Sequence, residues 1–102
     1  MSEGDRVLTE VRVKRRKIVE AVRASTEENA HKTVAIDQAL YRYEAINLRG
    51  ACIVELRYFG GYTLERIAEL LQISPRTVKR EWMLARAWLW NELGPGPKDE
   101  VL

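Results

Sequence analysis

The sequence predicts an all-α fold: a small helical bundle that ends in a helix-turn-helix without a wing, with one or two N-terminal helices preceding this bundle. Proline occurs only at positions 75, 95 and 97, so most of the chain lacks the residue that most strongly breaks helices. Apolar residues recur at helical spacing, as at Ile36, Leu40 and Tyr43. Two residues with good helix-capping side chains, Thr63 and Ser74, stand eleven positions apart. This last pattern is typical of two short helices joined by a tight turn.

The composition is that of one globular domain. The chain has 102 residues, of which 46% are hydrophobic and 31% charged, enough for one modest core. No apolar run approaches the roughly 20 residues of a membrane span, and the N-terminus lacks the apolar core of a signal peptide. A single cysteine, Cys52, cannot form an internal disulfide, which agrees with a reducing compartment. We therefore expect a cytoplasmic protein with no membrane partner.

The charges are distributed unevenly along the chain. Residues 6–23 carry seven Lys or Arg against two Glu, and residues 70–93 carry four Lys or Arg against two Glu. Between them, residues 26–69 have seven acids against five Lys or Arg. Two basic segments that flank an acidic one favour a protein that places particular faces on a polyanion. The alternative is that both basic segments are ordinary solvated helix faces, and the charge distribution by itself favours neither interpretation over the other.

Three helices are expected before the capped pair. The first covers residues 7–24 and has a stripe that Arg15 interrupts, formed by Leu8, Val11, Ile18 and Val22. The second ends near Ile46, which we place beside its apolar face. Asn47 can cap a third helix over residues 48–59, because its side-chain oxygen can accept an unpaired backbone N–H. Gly60-Gly61 should end that helix, since glycine adopts the left-handed conformation at low cost.

The helix that begins after Ser74 has two chemically different sides. Pro75 fits its first position, where no backbone N–H is needed. At about 100° per residue, one side carries the stripe Val78, Trp82, Ala85 and Leu89, which should face the core. The opposite side, near the N-terminus of the helix, is where a recognition helix presents residues to the major groove. The predicted DNA-binding residues on this side are Ser74, Arg76, Lys79, Arg80 and Met83; together with Thr77, which a family resemblance implies, they are here called the reading face.

The segment IVELRYFGGYTLERIAELLQISPRTVKREWMLARAWLWNEL (residues 53–93) resembles region 4 of bacterial extracytoplasmic-function sigma factors. The resemblance is nearly continuous over about forty residues and extends weakly back through AIDQALYRYEAIN. It implies binding to the promoter −35 element, with Arg76, Thr77, Lys79 and Arg80 at the matching DNA-contact positions. It also implies docking on the flap of the RNA polymerase β subunit. Gln72 departs from the family, which usually has glycine in this turn.

The resemblance also divides the chain into a basic N-terminal helix and linker (1–33), the region-4-like domain (34–93) and a flexible tail (94–102). The family places a full region 2 upstream of region 4, for which these residues leave no room. The basic run within VRVKRRKIVEAVRAS is similar to the last helix of region 2, and the alternative is a basic linker or a dimerisation helix. The candidate phosphate contacts are Thr63, Arg86, Arg15, Arg16 and Lys17.

No other chemistry is indicated. His31 and Cys52 have no partners at metal-ligand spacing, and no nucleophile–base pair or phosphate-binding glycine loop is present. We expect no enzyme activity, no metal and no cofactor. Trp90 lies far along the last helix from Arg76, and we expect it to pack against the N-terminal helices or a second subunit.

Three functions remain in competition. The first is a transcription protein that binds double-stranded promoter DNA and docks on RNA polymerase. The second is a homodimeric helix-turn-helix regulator that binds a palindrome. The third is a protein-interaction module that binds polymerase or an anti-sigma factor without contacting DNA.

Overall fold

The computed structural model describes residues 2–25 and 28–94, and these form five α-helices with one π-helical segment. The helices are α1 (Glu3–Arg23), α2 (Glu28–Ile46), α3 (Leu48–Val54), α4 (Leu64–Leu71) and α5 (Pro75–Leu93), and the π-helical segment (Glu55–Phe59) continues α3. The predicted all-α class is confirmed, and α4 and α5 occupy the two helices of the predicted helix-turn-helix. The predicted boundary between residues 33 and 34 falls inside α2. Of the predicted tail, all but Gly94 lies outside the described residues.

Helix α1 begins at Ser2, whose hydroxyl accepts the backbone N–H of Asp5 at 3.2 Å. Its buried face is a stripe of residues spaced mainly by four: Gly4, Val7, Val11, Arg15 and Val19. The other three residues of the predicted stripe, Leu8, Ile18 and Val22, lie at the margin and are only half-buried. The buried face of α1 is therefore rotated relative to the predicted stripe. Arg15, which we expected to interrupt the stripe, is part of the buried face.

Arg15 is buried because three of its nitrogens have acceptors on other elements. Its Nε donates to a carboxylate oxygen of Asp37, and its Nη2 donates to the Asp37 backbone carbonyl at 2.9 Å. Its Nη1 donates to Glu55 Oε2 at 2.7 Å, while Arg12 donates to the other Glu55 oxygen at 3.2 Å. The Tyr41 ring centroid lies 4.9 Å from the guanidinium carbon. This buried ion-pair network joins α1 to α2 and to the π-helical segment.

Between α2 and α4 the chain follows the predicted local signals with two differences. Asn47 caps α3 by accepting the Gly50 N–H at 3.0 Å, and Gly61 adopts a φ of +76° after the helix. The predicted helix over residues 48–59 changes from α to π at Glu55, as the hydrogen bond from Gly60 N–H to the Glu55 carbonyl shows. Ile46, expected beside the apolar face, is exposed at the end of α2.

A three-residue turn connects α4 to α5. The Thr63 hydroxyl accepts the Arg66 N–H at 3.0 Å and starts α4, whose buried residues are Ile67, Ala68 and Leu70, while Leu71 is half-buried. Gln72 adopts a left-handed φ of 58°, a conformation that costs a non-glycine residue about 1 kcal/mol. The next residue, Ile73, donates its N–H to the Ala68 carbonyl and closes the end of α4.

Helix α1 packs directly on the helix-turn-helix. Gly4 lies so close to the Leu70 carbonyl of α4 that a side-chain carbon at position 4 would collide with it. Beside this contact, Glu3 accepts a hydrogen bond from Arg66 at 2.6 Å. The N-terminal helix and the turn therefore belong to one packed unit. No helix among residues 2–25 and 28–94 is long and apolar enough to cross a membrane.

Candidate nucleic-acid interface

Helix α5 is fixed to the core along the side that its apolar spacing predicts. Val78, Ala85 and Leu89 are fully buried, whereas Trp82 is half-buried. The fourth buried position belongs to Glu81, a charged residue that the apolar stripe did not include. Because these residues face α2, α3 and α4, the opposite side of α5 is presented to solvent.

Glu81 holds α5 against the start of α3. One carboxylate oxygen accepts from the Asn47 side-chain amide at 2.8 Å, and the other accepts from Arg49 at 3.0 Å. The Asn47 hydrogen bond is the main cause that holds the pKa of Glu81 below its ordinary 4.5; burial opposes this, and the positive charges of Arg49 and Arg80 reinforce it. Asn47 uses its oxygen to cap α3 and its nitrogen to bind Glu81, so one residue serves both helices.

This arrangement predicts a loss of stability on acidification. A carboxylate whose pKa is lower in the folded chain than in the unfolded chain stabilises the folded chain at pH values above the unfolded pKa. This stabilisation is lost as the pH falls through the folded pKa. We therefore expect Glu81→Gln to lower the free energy of unfolding at neutral pH, with a difference from wild type that shrinks below pH 4.5. Urea unfolding at a series of pH values measures this. Glu65→Gln, at an exposed position of α4, is the matched control; a pH-independent difference for Glu81→Gln would contradict the role.

The reading face is exposed over the first two to three turns of α5. The side chains of Arg76, Lys79, Arg80 and Met83, together with Leu84, line one open groove on the surface. Within the described residues, none of the three cations has an acidic partner at ion-pair distance. The guanidinium and ammonium groups of these three side chains can donate hydrogen bonds to phosphate oxygens or to base edges in a major groove.

Ser74 and Thr77 cap the N-terminal turn of α5. The Ser74 hydroxyl accepts the Thr77 N–H at 3.1 Å and donates to the Thr77 hydroxyl at 2.9 Å. The cap confirms the predicted start of α5, with Pro75 in its first turn. Both hydroxyls are thus engaged with each other, and their main effect is to fix the N-terminal turn that carries Arg76.

The family model described as ECF sigma factor matches residues 4–94, from the start of α1 to the end of α5. The chain belongs to the ECF sigma factor family. Searches of the curated proteins and of the solved structures give no match. Membership in this family makes the chain a sigma-factor-like, DNA-binding transcription protein. The match also includes α1.

The other candidate phosphate contacts of this sigma-factor family member are scattered over the fold. Thr63 is exposed at the start of α4, Arg86 is exposed on α5, and Arg16 and Lys17 are exposed on α1. Helix α1 packs chiefly on α2, the π-helical segment and α4, so the structure does not join its cations to the reading face. Arg15 does not fit a phosphate contact, because its side chain is 6% exposed and bound to Asp37 and Glu55.

The tryptophans of the sigma-factor-like chain have different environments. Trp88 stacks at the margin of the core, with its ring centroid 4.9 Å from that of Tyr43. Trp90 is 43% exposed on α5 and therefore lies outside the fully buried core. Its packing against the N-terminal helices or against a second subunit stays a prediction.

Proposed function

We propose that the chain recognises a promoter −35-type element through the reading face, Ser74, Arg76, Thr77, Lys79, Arg80 and Met83, and docks on the flap of the RNA polymerase β subunit. In this function α5 lies in the major groove, with its N-terminal turns toward the bases. Family membership supports the promoter and the polymerase as partners. The side chains of α5 support the assignment of the DNA-contacting surface.

The single observation behind the DNA contact is the set of unpaired cations on a helix that the core holds in place. Arg76 and Arg80 stand one turn apart, about 6 Å along the helix axis. A major groove about 12 Å wide accepts a helix of this diameter. Arg and Lys there favour guanine, whose O6 and N7 atoms both accept hydrogen bonds. Glu81, the nearest acid, is turned to the core side and bound to Asn47 and Arg49.

We assign contacts to the DNA backbone to exposed residues outside the reading face. Thr63 starts α4, and a helix N-terminus attracts phosphate through its unpaired N–H groups. Arg86 lies three turns beyond Pro75 on α5 and is exposed. Arg16 and Lys17 on α1 are secondary candidates, and Arg15 is left out because it is buried.

Substitution of Arg80 tests the reading mechanism. We expect Arg80→Ala to weaken binding to the preferred duplex by about 1–3 kcal/mol and to relax the preference at one base pair, because a base-edge contact is lost. Titration of duplexes with single base changes measures both effects. Lys32→Ala, which removes one charge from the exposed side of α2, is the matched control. A loss that is the same for every sequence would make Arg80 a phosphate contact instead.

Selection of bound sequences from random DNA, with and without core polymerase, tests the function as a whole. The proposal predicts a single asymmetric site whose binding weakens steeply with salt. An inverted repeat bound without polymerase would favour the homodimeric regulator. Binding to the isolated flap or to an anti-sigma factor with no salt-dependent DNA binding would favour the protein-interaction module.

A further inference from the structure

The groove on the reading face is basic at one end and apolar at the other. Met83 and Leu84 are 59% and 55% exposed, and they line the groove together with Arg76, Lys79 and Arg80. Phosphate oxygens would gain nothing from contact with these two large apolar side chains. A ligand with an apolar group close to its negative charge would contact both the cations and the apolar side chains.

The helix spacing places each apolar residue one turn beyond a cation. Leu84 follows Arg80 by four positions, and Met83 follows Lys79 by four. Four residues advance about 6 Å along an α-helix, and successive base pairs are about 3.4 Å apart. A helix lying along the groove would therefore set Met83 and Leu84 about two base pairs beyond the bases that the cations contact.

Thymine supplies the apolar group that such a surface fits. In the major groove the base edges display donors and acceptors, and the C5-methyl of thymine is their apolar feature. We propose that Met83 and Leu84 pack on thymine methyl groups and make the chain prefer thymine about two base pairs from a guanine contacted by the cations. This inference rests on the proposed function and adds the second base class that the same face selects.

A second copy of the chain fits this surface less well than DNA does. A twofold contact through Met83 and Leu84 with the two α5 helices parallel would bring Arg76, Lys79 and Arg80 of one copy toward the same three cations of the other. These charges have no acidic partner within the described residues to offset the repulsion. DNA offers the opposite charge and the apolar methyl within one groove.

Replacement of thymine by deoxyuridine tests the proposal, because it removes the methyl group and keeps the base pairing. The full chain is titrated with the duplex obtained by selection, and each thymidine of that duplex is replaced in turn by deoxyuridine. Burial of one methyl corresponds to about a fourfold change in affinity. We expect wild type to lose about this factor at one or two thymines. The Met83→Ala/Leu84→Ala double variant should bind the unmodified duplex more weakly and show no further loss at those positions.

Leu48→Ala is the matched control, since Leu48 is equally exposed but lies on α3, outside this groove. It should retain the full penalty for deoxyuridine. Thermal unfolding of both variants should match wild type, because all three substituted residues are on the surface. No penalty in wild type, or a penalty unchanged in the double variant, would overturn the inference. Loss of salt-dependent binding to the unmodified duplex would instead count against the proposed function.

Discussion

Val78→Asp should abolish cooperative folding of the chain. Val78 is fully buried on α5, one turn after the Ser74 cap, and an aspartate there would place an unpaired carboxylate in the core. We expect the free energy of unfolding to fall by more than about 4 kcal/mol, a large part of the roughly 5–15 kcal/mol that stabilises a typical domain. Circular dichroism during urea titration measures this.

The neighbouring residue provides the control for the register of α5. Lys79→Asp introduces the same side chain one position later, where the structure places it in solvent. This variant should fold like wild type and lose affinity for DNA, because it reverses a charge on the reading face. A soluble, cooperatively folded Val78→Asp protein that binds DNA would contradict the assignment of the two sides of α5.

Arg15→Ala is expected to have the second-largest effect on stability. The substitution would leave Asp37 without its ion-pair partner and Glu55 with Arg12 alone, and both carboxylates are almost completely buried. Breaking a buried ion pair by removing one partner typically costs about 3–5 kcal/mol. We expect a loss of this size in the free energy of unfolding, measured by urea denaturation at neutral pH.

Arg16→Ala is the matched control, because Arg16 is the next residue on α1 and is exposed without an ion-pair partner in the described part of the chain. Its free energy of unfolding should stay within about 0.5 kcal/mol of wild type. An Arg15→Met/Asp37→Leu/Glu55→Leu variant should recover part of the lost free energy of unfolding. In this variant all three buried charges are removed, so none of them is left without a partner. Equal stability of Arg15→Ala and wild type would show that the network does not form.

Features that depend on a few neighbouring residues could be predicted from the sequence. The caps at Asn47, Thr63 and Ser74 were correct, because each needs only a side-chain oxygen and an N–H three positions later. The family's usual glycine at position 72 indicated the left-handed conformation that Gln72 adopts. The buried side of α5 followed from the spacing of Val78, Ala85 and Leu89.

Features that depend on distant partners could not be predicted in this way. Arg15 interrupts an apolar stripe in the local pattern and is buried only because Asp37 and Glu55 reach it from 22 and 40 residues away. Glu81 was missed for the same reason, since Asn47 lies 34 residues before it. The change to a π-helix at Glu55 has no local signal in the sequence.

The buried ion-pair network also determines how α1 is aligned. Its buried apolar side chains are Val7, Val11 and Val19, so a slide by one helical turn, about 5.4 Å, would still set one valine where another had been. The same slide would move Arg15 away from Asp37 and Glu55 and leave both carboxylates desolvated and unpaired. It would also move Gly4 away from the Leu70 carbonyl, a contact too close for any side chain. Arg15 and Gly4 together therefore select one axial position of α1 among positions that the valines alone distinguish only weakly.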